Sequence, residues 1–331
     1  MKFTRGRSLL LAAALSAILA LSSAYYWPIT DAYHPLNPGW DGCNKVAKTS
    51  RSTMLFSYDE PIMNASSLLA IIGPATQFSE RESGAVRRFL EAGGTALLAD
   101  DFGTGNSLLE ALNVSARFSN EPLADLLYYS RDPRFPLVFD FSPSPITYNI
   151  TTILMDRPSY IESVDSSQMV ELARSSPFSF VDFRGDGQPA SNETIKSYPV
   201  MASVSVGEGL LVLISDPGMF TNDLIDLYDN MQVFRNMLKI GDGSIIFDVA
   251  HLQNAPMTDG RVMFKNAVDS TRSGLLLSEI GVYVQFVVAL AVVLGLLLVI
   301  VRRSRRESQA RLESNFILDL MVWRVRLTLK R

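Results

Sequence analysis

The sequence predicts an α/β protein: a mostly parallel sheet with helices on both faces, a β-hairpin at one side, and a transmembrane helix near each end. Three observations predict it. A strand–helix–strand–helix order runs from Leu68 to Leu112, and parallel strands joined by crossover helices produce that order. An alternating run, Val200–Val206, turns at Gly207-Glu208-Gly209 into a second apolar run, Leu210–Ser215, which is hairpin chemistry. Ile280–Val301 carries no charge over 22 residues, long enough to cross a bilayer as a helix.

Residues 1–27 open with Lys2, Arg5 and Arg7, followed by apolar Ser8–Ala24. They read either as a signal anchor, with Tyr25, Tyr26 and Trp27 at the interface, or as a signal peptide cleaved near Ser22-Ser23-Ala24. Residues 28–50, with Pro28, Pro35, Pro38, Gly39 and Gly42, read as a lead-in loop. The domain itself, 51–260, begins with a short strand over Thr53–Ser57 and a buried-type strand, Leu68–Ile72, closed by Gly73-Pro74. Ser79 and Glu82 make a capping box. Ala85, Val86, Phe89 and Leu90 then share one helical face, and Gly93-Gly94 ends the helix. Thr95–Ala99 is a strand ending at Asp100-Asp101. Phe102–Asn106 is a glycine loop, and Ser107 with Glu110 repeats the capping box before a short helix to Leu112. Further strands are expected over Leu137–Phe141, Tyr148–Met155, Phe178–Phe183 and Ser244–Val249, with a helix over Tyr228–Ile240. Residues 261–279 read as a juxtamembrane linker, 280–301 as the transmembrane helix and 302–331 as a basic amphipathic cytoplasmic tail.

The net charge of −4 conceals a polarised distribution. Residues 1–27 carry +3 and residues 302–331 carry +6, which leaves −13 between them. An acidic middle excludes nucleic acid as its partner, because phosphate binding needs a positive surface. Arg302, Arg303, Arg305 and Arg306 directly follow the apolar span and mark the cytoplasmic side. The expected location is therefore the cell membrane, with residues 28–279 extracytoplasmic and both termini cytoplasmic. Four N-x-S/T sequons, at Asn64, Asn113, Asn149 and Asn192, suit an exported surface.

The runs FLEAGGTALLADDFGTGNSLLEALNV and GEGLLVLISDPGMFTND, the Asp229-Asn230 helix start and IIFDVAH resemble the archaeal domain-of-unknown-function family 4350. The resemblance covers most of residues 35–260. It implies a class I glutamine amidotransferase-like ectodomain with a flavodoxin-like, doubly wound sheet, and a membrane setting. It implies no established activity. It also implies company: a MoxR-type ATPase system and other membrane proteins.

An amidotransferase needs a cysteine nucleophile on a strand-to-helix elbow with a histidine partner. The single cysteine, Cys43, lies in a loop before the first expected strand, and no G-x-S-x-G occurs. Gly103-Thr104-Gly105-Asn106 opens a helix where doubly wound folds bind phosphate, but Asp100 and Asp101 would repel an anion. Asp182, Asp186, Gly187 and Glu193 match calcium-loop positions, with Arg184 where a ligand should stand, so a surface turn is the better reading. Asp100, Asp101, Asp216, Asp248 and His251 could form one acidic rim at the strand ends. The ligand-binding candidates are thus Asp100, Asp101, Gly103, Thr104, Gly105, Asn106, Asp216, Asp248 and His251, with no catalytic residue, metal or cofactor assigned. The expected function is non-catalytic binding, sensing or scaffolding in a cell-surface membrane complex. The alternatives are an extracytoplasmic hydrolase working through Asp100, Asp101, Asp216 and His251, and an auxiliary subunit of a membrane transporter.

Overall fold

The computed structural model describes residues 15–274, apart from positions 24, 27, 60, 61, 63, 164, 166, 167, 191 and 192. The chain divides into two units, Trp27–Val262, which holds the sheet, and Met1–Tyr26 with Met263–Arg331.

In chain order the elements are α1 (Asn44–Ala47), β1 (Arg51–Leu55), β2 (Leu68–Ile72), α2 (Glu80–Glu91), β3 (Thr95–Ala99), α3 (Gly105–Ala111), β4 (Ala116–Phe118), β5 (Leu123–Asp125), β6 (Leu137–Val138), β7 (Asp140–Phe141), β8 (Ile153–Leu154), β9 (Ile161–Ser163), β10 (Val170–Arg174), β11 (Ser179–Val181), β12 (Pro199–Val206), β13 (Gly209–Ile214), α4 (Asn230–Leu238), β14 (Ser244–Asp248) and α5 (Ala255–Gly274). Eight strands form one sheet in the order β1-β14-β2-β3-β13-β12-β10-β7. The β1–β14, β14–β2, β2–β3 and β3–β13 pairs are parallel. The β13–β12, β12–β10 and β10–β7 pairs are antiparallel.

Each side chain of β2 and β3 is buried, so these strands read as continuous apolar runs, as strands covered on both faces do. Leu69, Ile71, Leu98 and Leu213 pack against Val86, Phe89 and Leu90 of α2 and Leu108 and Leu109 of α3. Ala70, Leu97, Ile214 and Phe247 face the other way, onto Val46 of α1 and Phe234 and Met237 of α4. α2 begins with the expected capping box. It ends in a Schellman motif: Gly94 N–H donates to Phe89 O at 3.0 Å and Gly93 N–H to Leu90 O at 2.9 Å. Gly93 takes φ +87°, a conformation that favours glycine.

The structure corrects the expected fold in two respects. The sheet is mixed rather than a flavodoxin-like, doubly wound, mostly parallel sheet. The hairpin turn at Gly207 (φ +60°) reverses the chain, so β12 runs antiparallel to β13, and β10 and β7 extend that antiparallel half. The N- and C-terminal transmembrane helices are not supported, because among the described residues no helix is long and apolar enough to cross a membrane. The described helical run near the N-terminus, 15–23, is too short. α5 has 20 residues but carries Asp259, Arg261, Lys265 and Asp269. The segments 280–301 and 302–331 lie outside the described residues, and the expected linker, 261–279, is helical as far as it is described.

Smaller differences follow from local chemistry. Ser107 does not cap α3. Its hydroxyl donates to Thr104 O at 2.8 Å and accepts from Phe78 N at 3.1 Å, inside a helix that has already begun at Gly105. The strand expected over Leu137–Phe141 is broken at Phe139 into β6 and β7, and Tyr148–Met155 supplies only β8.

Candidate functional site

Parallel strands β14, β2, β3 and β13 end at one edge of the sheet, where α/β folds place ligands. Asp248 closes β14, Asp100 follows β3, and Ser215-Asp216 follows β13. The pleat separates them. Leu98 and Leu213 face α2 and α3, whereas Ala99 and Ile214 face the opposite core. Asp100 accordingly falls on the α3 side and Asp216 on the α4 side.

Asp100 is buried, and its carboxylate organises the glycine loop. Oδ1 accepts the N–H groups of Asp101 and Gly103, both at 3.0 Å, and Oδ2 accepts that of Gly105 at 2.7 Å. The N–H groups that a phosphate would need are therefore already taken. A Cβ at Gly103 would stand 2.4 Å from both Asp100 Oδ1 and Pro74 O, so the glycine serves this close approach. Thr104 Oγ1 donates to Pro74 O (3.1 Å) and Thr76 O (2.7 Å), tying the loop to the end of β2. Asn106 braces β4 through both atoms of Phe118, donating to its O at 2.8 Å and accepting from its N at 2.9 Å.

Asp216 is fully buried. Oδ2 accepts Asp156 N–H at 2.8 Å and Oδ1 accepts Gly218 N–H at 2.6 Å. The charges of Asp101 and Asp156 bear on it. Over this edge lies Tyr33 from the lead-in loop, at φ +60°, its ring against Gly73: a Cβ there would meet Tyr33 Cδ2 at 2.2 Å. Burial holds the Asp100 carboxyl up at about 6 despite its three N–H partners. Burial, with the Asp100 and Asp156 charges, lifts Asp101 to about 7. Burial also raises the Tyr33 hydroxyl and the Asp156 and Asp216 carboxyls.

Asp248 and His251 form a separate pair on the α2 side. Nδ1 of His251 lies 2.8 Å from Asp248 Oδ2, and Nε2 lies 3.7 Å from Glu82 Oε2 of the capping box. The imidazole stacks on Phe78 at 3.6 Å between centroids, with Tyr58 edge-on. Burial lowers its pKa, but the bond and charge of Asp248 and the charge of Glu82 more than offset this, so the ring titrates above its ordinary range. The His251 carbonyl accepts Ala75 N–H at 2.8 Å. The turn after β14 is thus clipped to the loop after β2, which separates it from Asp100.

The expected rim therefore splits three ways: Asp100 in the α3 turn, Asp101 with Asp156 and Asp216 beneath Tyr33, and Asp248 with His251. Among the described residues no group of three or more His, Cys, Asp or Glu side chains is placed to hold a metal ion. Asp182 is buried as well, and its carboxylate accepts Asp186 N–H at 3.2 Å and Gly187 N–H at 2.8 Å, which makes its loop a braced turn. Cys43 is a fully buried core residue at the start of α1, and burial pushes its thiol up. Asn64, Asn113 and Asn149 are exposed; Asn192 lies outside the described residues.

A feature that sequence reasoning missed lies in the segment between α3 and β12. Asp125, at the end of β5, is fully buried. Oδ1 accepts the N–H groups of Leu127 (2.9 Å) and Tyr128 (2.7 Å), and Oδ2 accepts the hydroxyls of Ser179 (2.7 Å) and Ser176. The turn so fixed exposes Leu127, Tyr128 and Tyr129 beside Phe139 and Phe178. Tyr128 meets Phe139 at 4.8 Å and Phe178 at 6.0 Å between ring centroids. Leu127 is 60% exposed and Tyr128 42%. The signal in the sequence was the unbroken apolar run Leu126–Tyr129 directly after an aspartate.

A family model described as Domain of unknown function (DUF4350) matches residues 35–238. No curated protein matches the chain. Among solved structures, the mmIFT52 N-terminal domain is similar at 17% identity and TM-score 0.42, over 54% of this chain and 77% of that one. The β-galactosidase from Bacillus circulans sp. alkalophilus is similar at 13% identity and TM-score 0.36, over 60% of this chain and 26% of that one. A ThuA-like protein from Bacteroides uniformis is similar at 13% identity and TM-score 0.33, over 54% and 71%.

Proposed function

We propose that this chain, which belongs to the DUF4350 family, is a non-catalytic binding and scaffolding module of a cell-surface complex. The aromatic patch around Tyr128 carries the reading. Contiguous exposed aromatic side chains mark interaction surfaces, and aromatic anchors held rigid before binding are the ones that contribute most at protein interfaces. Asp125 supplies that rigidity through four hydrogen bonds. The partner that fits is a protein presenting an apolar surface. A MoxR-type ATPase system with its membrane proteins is the assembly we favour, and an archaeal, amidotransferase-like member of the family is the lineage we favour. The acidic middle of the sequence and the GGTALLADDFGTGNSLLE run support these readings.

The hydrolase reading is weaker. Its carboxylates are used as acceptors for backbone N–H groups, and Tyr33 covers the strand ends where a substrate would enter.

The test is recovery of tagged full-length chain from its native cells in mild detergent, as wild type and as Tyr128→Ser with Phe178→Ser. A photo-crosslinker at Phe139 reports the contact. A stoichiometric partner that crosslinks from Phe139 and is lost from the double variant supports the reading. Equal recovery by both proteins rejects the patch as the interface.

A further inference from the structure

The chain has two histidines, and both are buried, in different surroundings. Nδ1 of His34 accepts the Leu36 N–H at 3.0 Å, and burial lowers this ring to about 4. His251 has a carboxylate at each ring nitrogen, Asp248 Oδ2 at 2.8 Å from Nδ1 and Glu82 Oε2 at 3.7 Å from Nε2. Phe78, stacked on the ring, and Tyr58, edge-on to it, fix its plane. This arrangement counts protons. An imidazolium has two N–H donors and satisfies both acids, whereas a neutral imidazole has one. On losing its proton the ring must turn a lone pair towards one carboxylate or the other. In a buried setting that contact is repulsive and leaves acceptors without a donor.

The imidazole joins elements that are far apart in the chain. Asp248 ends β14, Glu82 stands in the first turn of α2, and α5 begins at Ala255, just beyond His251. α5 leaves the sheet-bearing unit after Val262, so His251 sits at its root. The first turn of α5 is held from the other side by Asp31, which accepts from Asn254 Nδ2 at 3.0 Å and from Thr258 Oγ1. Asp259 follows, its Oδ1 buried without a hydrogen-bond partner among the described residues. Burial, with the charges of Asp248 and Asp31, raises its carboxyl to about 6. The titratable groups around the ring are thus Asp248 from β14, Glu82 from α2 and Tyr58 from the β1–β2 connection. Asp259 and Asp31 stand behind Asp248.

We propose that His251 is a proton-operated latch: as an imidazolium it fastens the root of α5 to the N-terminus of α2, and on deprotonation it lets the root go. The device closes on the acid side. The ring titrates above its ordinary range when folded, so its contribution is fully present below the unfolded value of 6.5 and is lost as pH rises through the folded one. Asp259 acts in the same direction. Its contribution is fully present below 3.8 and is lost as pH rises through about 6, where ionisation adds a negative charge beside Asp248 and Asp31. Both titrations therefore loosen the same turn, and the His251 step is the later one.

Magnetic resonance of the full-length chain with isotope-labelled histidine reads both rings at once, and His34→Asn assigns them. His34 should titrate at about 4 and His251 above 6.5. Hydrogen exchange across residues 249–262, corrected for its intrinsic pH dependence, should quicken roughly tenfold between about pH 7 and about pH 9, while β3 stays protected. Glu82→Gln is the deciding variant. Its amide donates to a neutral Nε2 and still serves the capping box. In it the ring should titrate lower than in wild type, and the alkaline rise in exchange should shrink to less than about twofold. His251→Gln should exchange fast at both pH values, and Glu82→Gln carries the test if that variant does not fold. A His251 ring that titrates at or below 6.5 overturns the proposal, as does equal exchange of residues 249–262 at the two pH values. An alkaline rise that persists unchanged in Glu82→Gln also overturns it, because the titrating group then lies elsewhere.

Discussion

The strand-end edge of the sheet and the aromatic patch use the same device to opposite effect. In both, a buried aspartate gathers the N–H groups of the loop that follows it or lies beside it. Asp100 and Asp216 do so to close the edge, with the glycine loop folded onto one carboxylate and the Gly218 turn onto the other. Asp125 does so to open a surface, because the turn it fixes sends Leu127 and Tyr128 outward. A buried carboxylate at a strand end is therefore not by itself evidence of chemistry. What the braced loop presents to solvent decides its use.

That contrast can be broken or sharpened by substitution. The largest effect is expected from Asp125→Ala, which leaves two backbone N–H groups and two serine hydroxyls without their acceptor. A loss of about 4 kcal/mol in denaturant unfolding should accompany loss of partner recovery. Asp216→Ala removes the acceptor of Asp156 and Gly218 and should cost about 3 kcal/mol, with recovery from cells unchanged once folding is allowed for. If Asp216→Ala instead spared stability and abolished recovery, the roles of edge and patch would have to be exchanged. Ser79→Ala, which dismantles the capping box of α2, should cost about 1 kcal/mol by the same measurement.

The edge should also respond to pH. Asp101 rises from 3.8 to about 7 and Asp100 from 3.8 to about 6 on folding. For an acid raised in this way the folded state holds its proton more tightly than the unfolded chain. The resulting stability is fully present below about pH 3.8 and is lost as pH rises towards 7. The contribution of these groups to the melting temperature should therefore fall between pH 4 and 7, and Asp101→Asn should flatten the upper part of that fall. An unchanged slope in Asp101→Asn would assign the titration elsewhere. The smallest stability effect is expected from Phe178→Ala. This side chain is exposed, so unfolding should shift by less than about 1 kcal/mol while partner recovery drops.

The parallel half of the sheet was legible in the sequence because its signals are local. Leu68–Ile72 and Thr95–Ala99 are unbroken apolar runs, and the capping box and Gly93-Gly94 bracket the helix between them. The β12–β13 hairpin was legible too, from its alternation and its glycine turn, but the remaining antiparallel pairs were not. β4, β5 and β9 are three residues each, and β10 is interrupted by register shifts between Glu171 and Arg174, so none develops a readable period. The aspartates of the edge were found as positions, but their roles were hidden. The partners of Asp100 lie within five residues, whereas Asp216 receives an N–H from Asp156, which lies 60 residues earlier. Ser107-x-x-Glu110 matched a cap motif that the Asp100 carboxylate pre-empts at Gly105. Asp125 escaped notice because its serine partners, Ser176 and Ser179, are more than fifty residues away.

The last strand of the sheet, β14, lies between the first two, β1 and β2. Among the described residues β1 pairs with β14 alone, from Arg51↔Ser244 to Leu55↔Asp248. A chain emerging from the ribosome must therefore keep its opening strand unattached until residue 248 is free, and the inner edge of β2 stays uncovered for the same interval. Such an edge is open to pairing with other chains. A recombinant fragment cut at residue 238, where the family match stops, would retain that gap permanently and should collect as aggregate, whereas one extended through Asp248 closes it.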